Sequence, residues 1–180
     1  MNMKGIMFNT KYGLEQAVLN GTKTRTWRAD KKPRYEVGEV VAIKQCYCDV
    51  LNYHKKQNNV TLEQRIIAYY SGEKGWRNKM FTRNEEMPHQ IKITKVTPCK
   101  LQDITEEECL NEGIGCMELF DDDLKEIFYY IGAFLGWLDD KQKTFPTSKK
   151  AFSYLINKLN GKGYWESNPL GYAYEFELVK

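Results

Sequence analysis

The sequence has no apolar run long enough to cross a membrane. Its longest, from Ile127 to Leu138, is short and close to charge, whereas a spanning helix needs roughly 20 apolar residues. The opening segment MNMKGIMFNTKYG also lacks a long apolar core, so no signal peptide is visible and none is expected. Cysteine is sparse and unpatterned. There are five, an odd number, and the Cys46/Cys48 pair has no second pair at metal-ligand spacing. That argues against a disulfide framework and against a zinc site, and leaves reduced, buried cysteines in a cytoplasmic protein as the expectation. Only two histidines are present, His54 and His89. His89, in MPHQI, has no nucleophile pattern beside it, so a structural role is expected. No internal repeat and no low-complexity tract is visible, and no cofactor is expected.

What is present suits one globular domain spanning residues 1–180. The 180 residues can form one sizeable core, and 42% hydrophobic with 28% charged residues is an ordinary globular balance. The net charge is +3 but unevenly spread: residues 1–100 hold 19 Lys/Arg and 9 Asp/Glu, residues 101–180 hold 8 and 15. A polyanion-binding face drawn from the first part is one consequence; attraction between the two parts inside one domain is the other.

Periodicity places the elements. Leu14, Ala17 and Val18 have helical spacing, with Gly21 as a stop. Thr22 to Arg28 alternates and reads as a strand. Val37-Gly38-Glu39 forms a turn into the strand Val40–Ile43. Residues 49–90 read as a polar excursion with one short helix around Leu62 to Tyr70, followed by a strand from Ile91 to Val96. Thr105 and Glu108 form a capping box for a helix that Gly113 ends. Leu124, Ile127, Phe128, Ile131 and Leu135 make one apolar stripe, which predicts a long helix from Asp122 to Leu138. Phe152, Leu155, Ile156 and Leu159 predict another, stopped by Gly161. Leu170, Tyr172, Tyr174, Phe176 and Leu178 alternate as a strand. Together these predict an α+β domain built on a small, mostly antiparallel β-barrel with surrounding helices.

Several stretches resemble one family. LNGTKTRTWR matches the G-x-K-x-x-x-x-R signature of the ASCH superfamily, whose members resemble PUA RNA-binding domains. YEVGEVVAIK resembles the segment that follows it there, and LQDITEEECLNEGI resembles the helix carrying an acidic residue just before a glycine. GWRNKMF, MPHQIKIT and YWESNPLGYAYEFELV resemble a phage- and bacterial-type subgroup. The matches are scattered over nearly the whole chain. The resemblance implies a PUA-like barrel with inserted segments at about 49–90 and 114–160. Activity is less specified, since members are variously RNA binders, ribonucleases and amidohydrolases.

One ASCH branch removes the acetyl group from N4-acetylcytidine with a lysine, a threonine and a glutamate. Matched to its motif, these positions are Lys23, Thr26 and Glu112. The chemistry is coherent: a threonine hydroxyl needs a base, a lysine of lowered pKa can serve, and a glutamate can hold that lysine or protonate the departing amine. Arg25 or Arg28 can supply a cation for a developing oxyanion. Geometry sets a condition. In a regular strand, residues 23 and 26 face opposite sides, so Lys23 must still lie in the turn after Gly21, or a bulge must intervene.

Basic residues also interleave with aromatics. Arg25, Trp27, Arg28, Arg77 and Lys79 are candidate nucleic-acid contacts, suited to phosphate contact plus base stacking. The structural alternative is that the tryptophans close the core. Trp165 and Asn168 read as a turn before the last strand, and both also as the rim of a ligand site, with Trp165 a candidate nucleic-acid contact. The expected function is binding of a nucleotide base or RNA, with amidohydrolysis of a modified nucleoside or ribonuclease action as alternatives. Expected partners are RNA or a modified nucleoside, not a membrane; the oligomeric state is left open.

Overall fold

The structure, a computed structural model, describes residues 3–121, 124–132 and 143–179. In chain order its elements are β1 (Gly5–Ile6), α1 (Leu14–Leu19), β2 (Arg25–Arg28), β3 (Val40–Ile43), α2 (Tyr47–Lys56), α3 (Val60–Tyr70), β4 (Gln90–Lys100), α4 (Glu106–Asn111), β5 (Ile114–Asp121), β6 (Leu124–Ile131), α5 (Ser148–Asn160) and β7 (Leu170–Leu178). Short 3-10 turns lie at Lys74–Trp76, Lys79–Phe81, Asn84–Glu86 and Leu101–Asp103.

The barrel expectation is corrected. Five strands form one mixed sheet in the order β1-β3-β4-β7-β2, and β5 and β6 form a separate two-stranded sheet. The β1–β3 pair is parallel, whereas β3–β4 and β2–β7 are antiparallel. Among the described residues no pairing joins β1 to β2, so the sheet is open rather than closed. The physical reason lies at its edge: β1 is two residues long and offers too little backbone to close a ring.

The chain divides into two compact units. One comprises Met1–Phe8, Glu39–Lys92 and Leu178–Lys180, the other Asn9–Gly38 and Ile93–Glu177. In the first, Ala42, Tyr47, Val50, Leu51, Ile66, Tyr70 and Met87 form a buried cluster. Tyr47 stacks on Tyr70 with centroids 4.0 Å apart and planes at 15°. α2 supplies Tyr47, Val50 and Leu51, an i, i+3, i+4 stripe that runs into what reads from sequence as a polar excursion over 49–90.

In the second unit, α1, α4 and α5 occupy the predicted positions, and α4 carries the full Thr105–Glu108 capping box. β2 and β7 pair in register, Thr26 opposite Tyr174 and Arg28 opposite Tyr172. Among the described residues of 122–138 the predicted helix does not form. Leu124–Ile131 is a strand, antiparallel to β5 with Met117 opposite Phe128. Residues 122, 123 and 133–138 of that prediction lie outside the described residues. The run Ile-Phe-Tyr-Tyr-Ile at 127–131 is β-branched and aromatic, and its local strand preference prevails once β5 is present to pair with it. No helix among the described residues is long and apolar enough to cross a membrane.

Candidate functional site

The turn after α1 sets the site. Asn20 caps α1, and Gly21 follows at φ 78°, a conformation glycine adopts without strain. The Lys23 amide donates to the Ala17 carbonyl at 2.9 Å, so Lys23 is still tied to the helix end, and β2 begins only at Arg25. Lys23 therefore escapes the strand alternation. Thr24 bridges two elements: its amide donates to Asn111 at the end of α4 (3.0 Å), and its carbonyl accepts from Phe176 of β7 (2.8 Å).

Lys23, Arg25 and Glu112 meet in the interior, at 2%, 4% and 4% exposure. The Lys23 ammonium donates to the Arg25 carbonyl (2.7 Å), the Glu112 carbonyl (2.6 Å) and the Glu112 carboxylate (2.9 Å). Three acceptors match the three donors of an ammonium. Arg25 Nη1 donates to the other Glu112 oxygen at 3.2 Å, and its Nη2 lies 3.4 Å from Glu108. Arg25 Nε is buried, with no hydrogen-bond partner among the described residues. Glu112 arrives as the C-cap of α4, and Gly113 turns the chain at φ 94°. A Cβ at Gly113 would sit 3.3 Å from Lys23 Cδ, so this glycine also makes room for the lysine stem.

Burial pushes the Lys23 ammonium below its ordinary range. Glu112 pulls it back up, and Arg28 and Arg25 add to the depression. Burial likewise lowers the Arg28 guanidinium, against the pull of Tyr35, Glu112 and Asp30. Next to them, burial and the Asp30 carboxylate push the Tyr174 hydroxyl up to about 12; it donates to Asp30 at 2.9 Å.

Arg25 lies between two clefts. One, of about 290 Å³, is lined by Thr24, Arg25, Thr94, Glu107, Glu108, Asn111, Glu175 and Phe176. The other, of about 100 Å³, shares Arg25, Glu108 and Glu175, and adds Lys95, which pairs with Glu175 at 2.9 Å, and Cys99. The walls offer donors from Arg25 and Asn111, hydroxyls from Thr24 and Thr94, and a surplus of carboxylates. Of the residues expected from sequence, only Arg25 lines either cleft. Lys23 and Glu112 stand behind Arg25 and hold it.

The remaining expected residues fall as follows. Thr26 is buried on β2, and among the described residues no hydrogen bond joins its hydroxyl to Lys23 or Glu112. Trp27 is buried, donating its indole N–H to the Cys99 carbonyl at 3.4 Å. Trp165 packs edge-on against Phe152, and its amide donates to Asn157. Arg77 and Lys79 belong to the first unit, where Arg77 is exposed and Lys79 donates to the Phe8 carbonyl. Sequence reasoning missed Glu108, Asn111, Thr94 and Glu175 as cleft residues. Asn111 and Glu108 sit one helical turn apart at i, i+3 on α4, a spacing that was available to find them.

Among the described residues, no group of three or more His, Cys, Asp or Glu side chains is placed to hold a metal ion. Neither a family model, nor a curated protein, nor a solved structure matches this chain.

Proposed function

We propose that the second unit is an ASCH-type site that binds a nucleobase or nucleoside in the cleft beside Arg25. The observation that carries this reading is the state of Arg25. Its guanidinium is buried and pinned by Glu112 and Glu108, its Nε has no hydrogen-bond partner among the described residues, and the residue lines a 290 Å³ cleft. That volume is near the lower end of the roughly 300–1,000 Å³ of ligand pockets. The ASCH resemblance supports the same place, because two of the stretches that carry it, around Lys23 and around Glu112, join through the Lys23–Glu112 pair.

The cleft chemistry selects within the broader nucleic-acid class. Glu107, Glu108 and Glu175 outnumber the single guanidinium, which disfavours phosphate and favours a neutral ligand with both amino donors and carbonyl acceptors. A base edge has that pattern. Titration calorimetry of the full chain with cytidine, N4-acetylcytidine, uridine and adenosine tests it. Saturable binding that is weakened by Asn111→Leu and changes little with salt is expected. No saturation with any nucleoside at millimolar concentration would sink the reading.

A second reading, amidohydrolysis, is favoured by one observation. Lys23, with its lowered pKa, contacts Glu112 at 2.9 Å, as a base and its orienting carboxylate require. Chromatographic release of cytidine from N4-acetylcytidine, abolished in Lys23→Ala and in Thr26→Ala, is its signature. The three acceptors around Lys23 Nζ favour a holding role, because a base must first give up a proton and one of those bonds.

A further inference from the structure

The first unit carries a stretch that the cleft does not use. Residues 74–83, KGWRNKMFTR, hold four cations and no acid within ten residues, together with Trp76, Met80 and Phe81. In a solvated polar loop the apolar side chains would turn inward. Here Met80 is 63% and Phe81 56% exposed. Lys74 and Arg77 are exposed beside them, and the Lys74 ammonium lies 5.9 Å from the centre of the Phe81 ring.

The backbone beneath this display is fixed. Trp76 N donates to Glu73 O, Phe81 N to Asn78 O, and Met80 N to the Asn78 side chain. Thr82 Oγ1 donates to Lys79 O at 2.9 Å, and the Lys44 ammonium caps the Met80 carbonyl at 3.1 Å. The loop also rests on the Tyr47–Tyr70 stack. Arg83 N donates to the Tyr47 hydroxyl at 3.0 Å, and the Arg83 guanidinium lies 6.0 Å from the Tyr70 ring centre. At Gly75 the approach is so close that a Cβ would fall 2.6 Å from the Tyr47 ring. The Glu86 carboxylate is taken up by Arg65 and by the Tyr70 hydroxyl. The chain thus orders a loop, at an entropic cost, while leaving its large apolar side chains and cations facing water.

We propose that residues 74–83 form a docking surface for single-stranded nucleic acid, with Lys74 and Arg77 on phosphates and Phe81 as the stacking platform. Cations spaced among exposed apolar groups match a strand that alternates charged phosphates with flat, unstacked bases. A duplex keeps its bases stacked and leaves Phe81 without a role. An acidic protein segment satisfies the cations alone. The surface is distinct from the Arg25 cleft, so either assignment can fail without the other.

The test is fluorescence anisotropy of the full chain with a labelled oligouridylate, and with an abasic oligonucleotide of the same length. Binding at low salt is expected, with the base-bearing probe bound about tenfold more tightly. Phe81→Ala removes that preference and leaves the salt dependence unchanged. Lys74→Gln with Arg77→Gln weakens both probes and reduces the slope of log K against log salt by about 0.7 for each phosphate no longer neutralised. All three side chains are exposed, so unchanged melting temperatures confirm that the variants fold. The proposal is overturned by no binding at low salt, by equal affinity for the abasic probe, or by a polyglutamate peptide binding as tightly as the oligouridylate.

Discussion

Two buried cations, Lys23 and Arg25, converge on the carboxylate of Glu112, and this sets what single substitutions there can do. Removing one partner of a buried pair leaves an uncompensated charge in the interior, which costs about 3–5 kcal/mol. Glu112→Gln keeps the shape but leaves Lys23 with neutral carbonyl acceptors and Arg25 with Glu108 as its carboxylate partner, so a loss of that size is expected in urea unfolding; a loss below about 1 kcal/mol would show that the network is solvated. The depressed Lys23 pKa adds a pH signature. The unfolded lysine titrates near roughly 10.4. Between the lower folded value and that point, the unfolded chain holds a proton that the folded chain has shed, so stability rises with pH in this window. Below the folded value the burial penalty stays in full. The stability difference between the wild type and Lys23→Met is expected to grow as pH rises toward 10.4, and a constant difference contradicts it. Comparison with the variant is needed because Tyr174, raised to about 12, acts oppositely: its unfolded counterpart ionises near roughly 10, so its contribution is lost above that pH. The meeting of Lys23 with Glu112 was legible only through the resemblance, since nothing local links residues 89 apart. The condition that Lys23 precede the strand was readable from Gly21 alone. The place of Thr26 was not, because it depends on which strand face the interior takes.

At the scale of elements, the site depends on β2 lying close against β7. Gly171 permits that approach: a Cβ there would fall 2.3 Å from the Arg28 carbonyl and 2.5 Å from the Trp27 ring. Backbone cannot yield as a flexible side chain does, so Gly171→Ala must push the strands apart. An overpacking loss of about 1–3 kcal/mol is expected in denaturant midpoints, together with weaker nucleoside binding, because β2 carries Arg25. Unchanged stability would show that the strands separate freely. β7 was readable because its sequence alternates large apolar with small or acidic residues from Leu170 to Leu178. Its burial does not follow one face: Ala173 is buried with Tyr174 and Phe176, and Leu170 and Leu178 are exposed. α4 was readable because its cap is a local hydrogen-bond pattern. β6 was misread for a physical reason: Leu124, Ile127, Phe128 and Ile131 satisfy a helical stripe, while the strand is specified by β5, a partner that local periodicity does not see. The same limit concealed β1, whose two residues have no pattern to read.

Across the whole molecule, the charge gradient along the chain is rearranged by folding. The unit formed by Met1–Phe8, Glu39–Lys92 and Leu178–Lys180 carries 11 Lys/Arg against 6 Asp/Glu. The other carries 16 against 18, even though it includes the basic residues of the Lys23 turn. The acids of α4 and β7 thus share a unit with Arg25, while the basic surplus belongs to the unit that holds residues 74–83. A net charge of +3 is too small for a uniform surface field to hold polyanions, so any such affinity must come from a local cluster. Heparin chromatography separates the two causes. Lys74→Gln with Arg77→Gln, and Lys158→Gln with Lys162→Gln, lower the net charge equally, since all four side chains are exposed. Elution at clearly lower salt is expected for the first pair and little change for the second. Equal shifts would assign the affinity to net charge and remove the loop from the argument, because a surface that acts through position must distinguish two pairs that remove the same charge from different places.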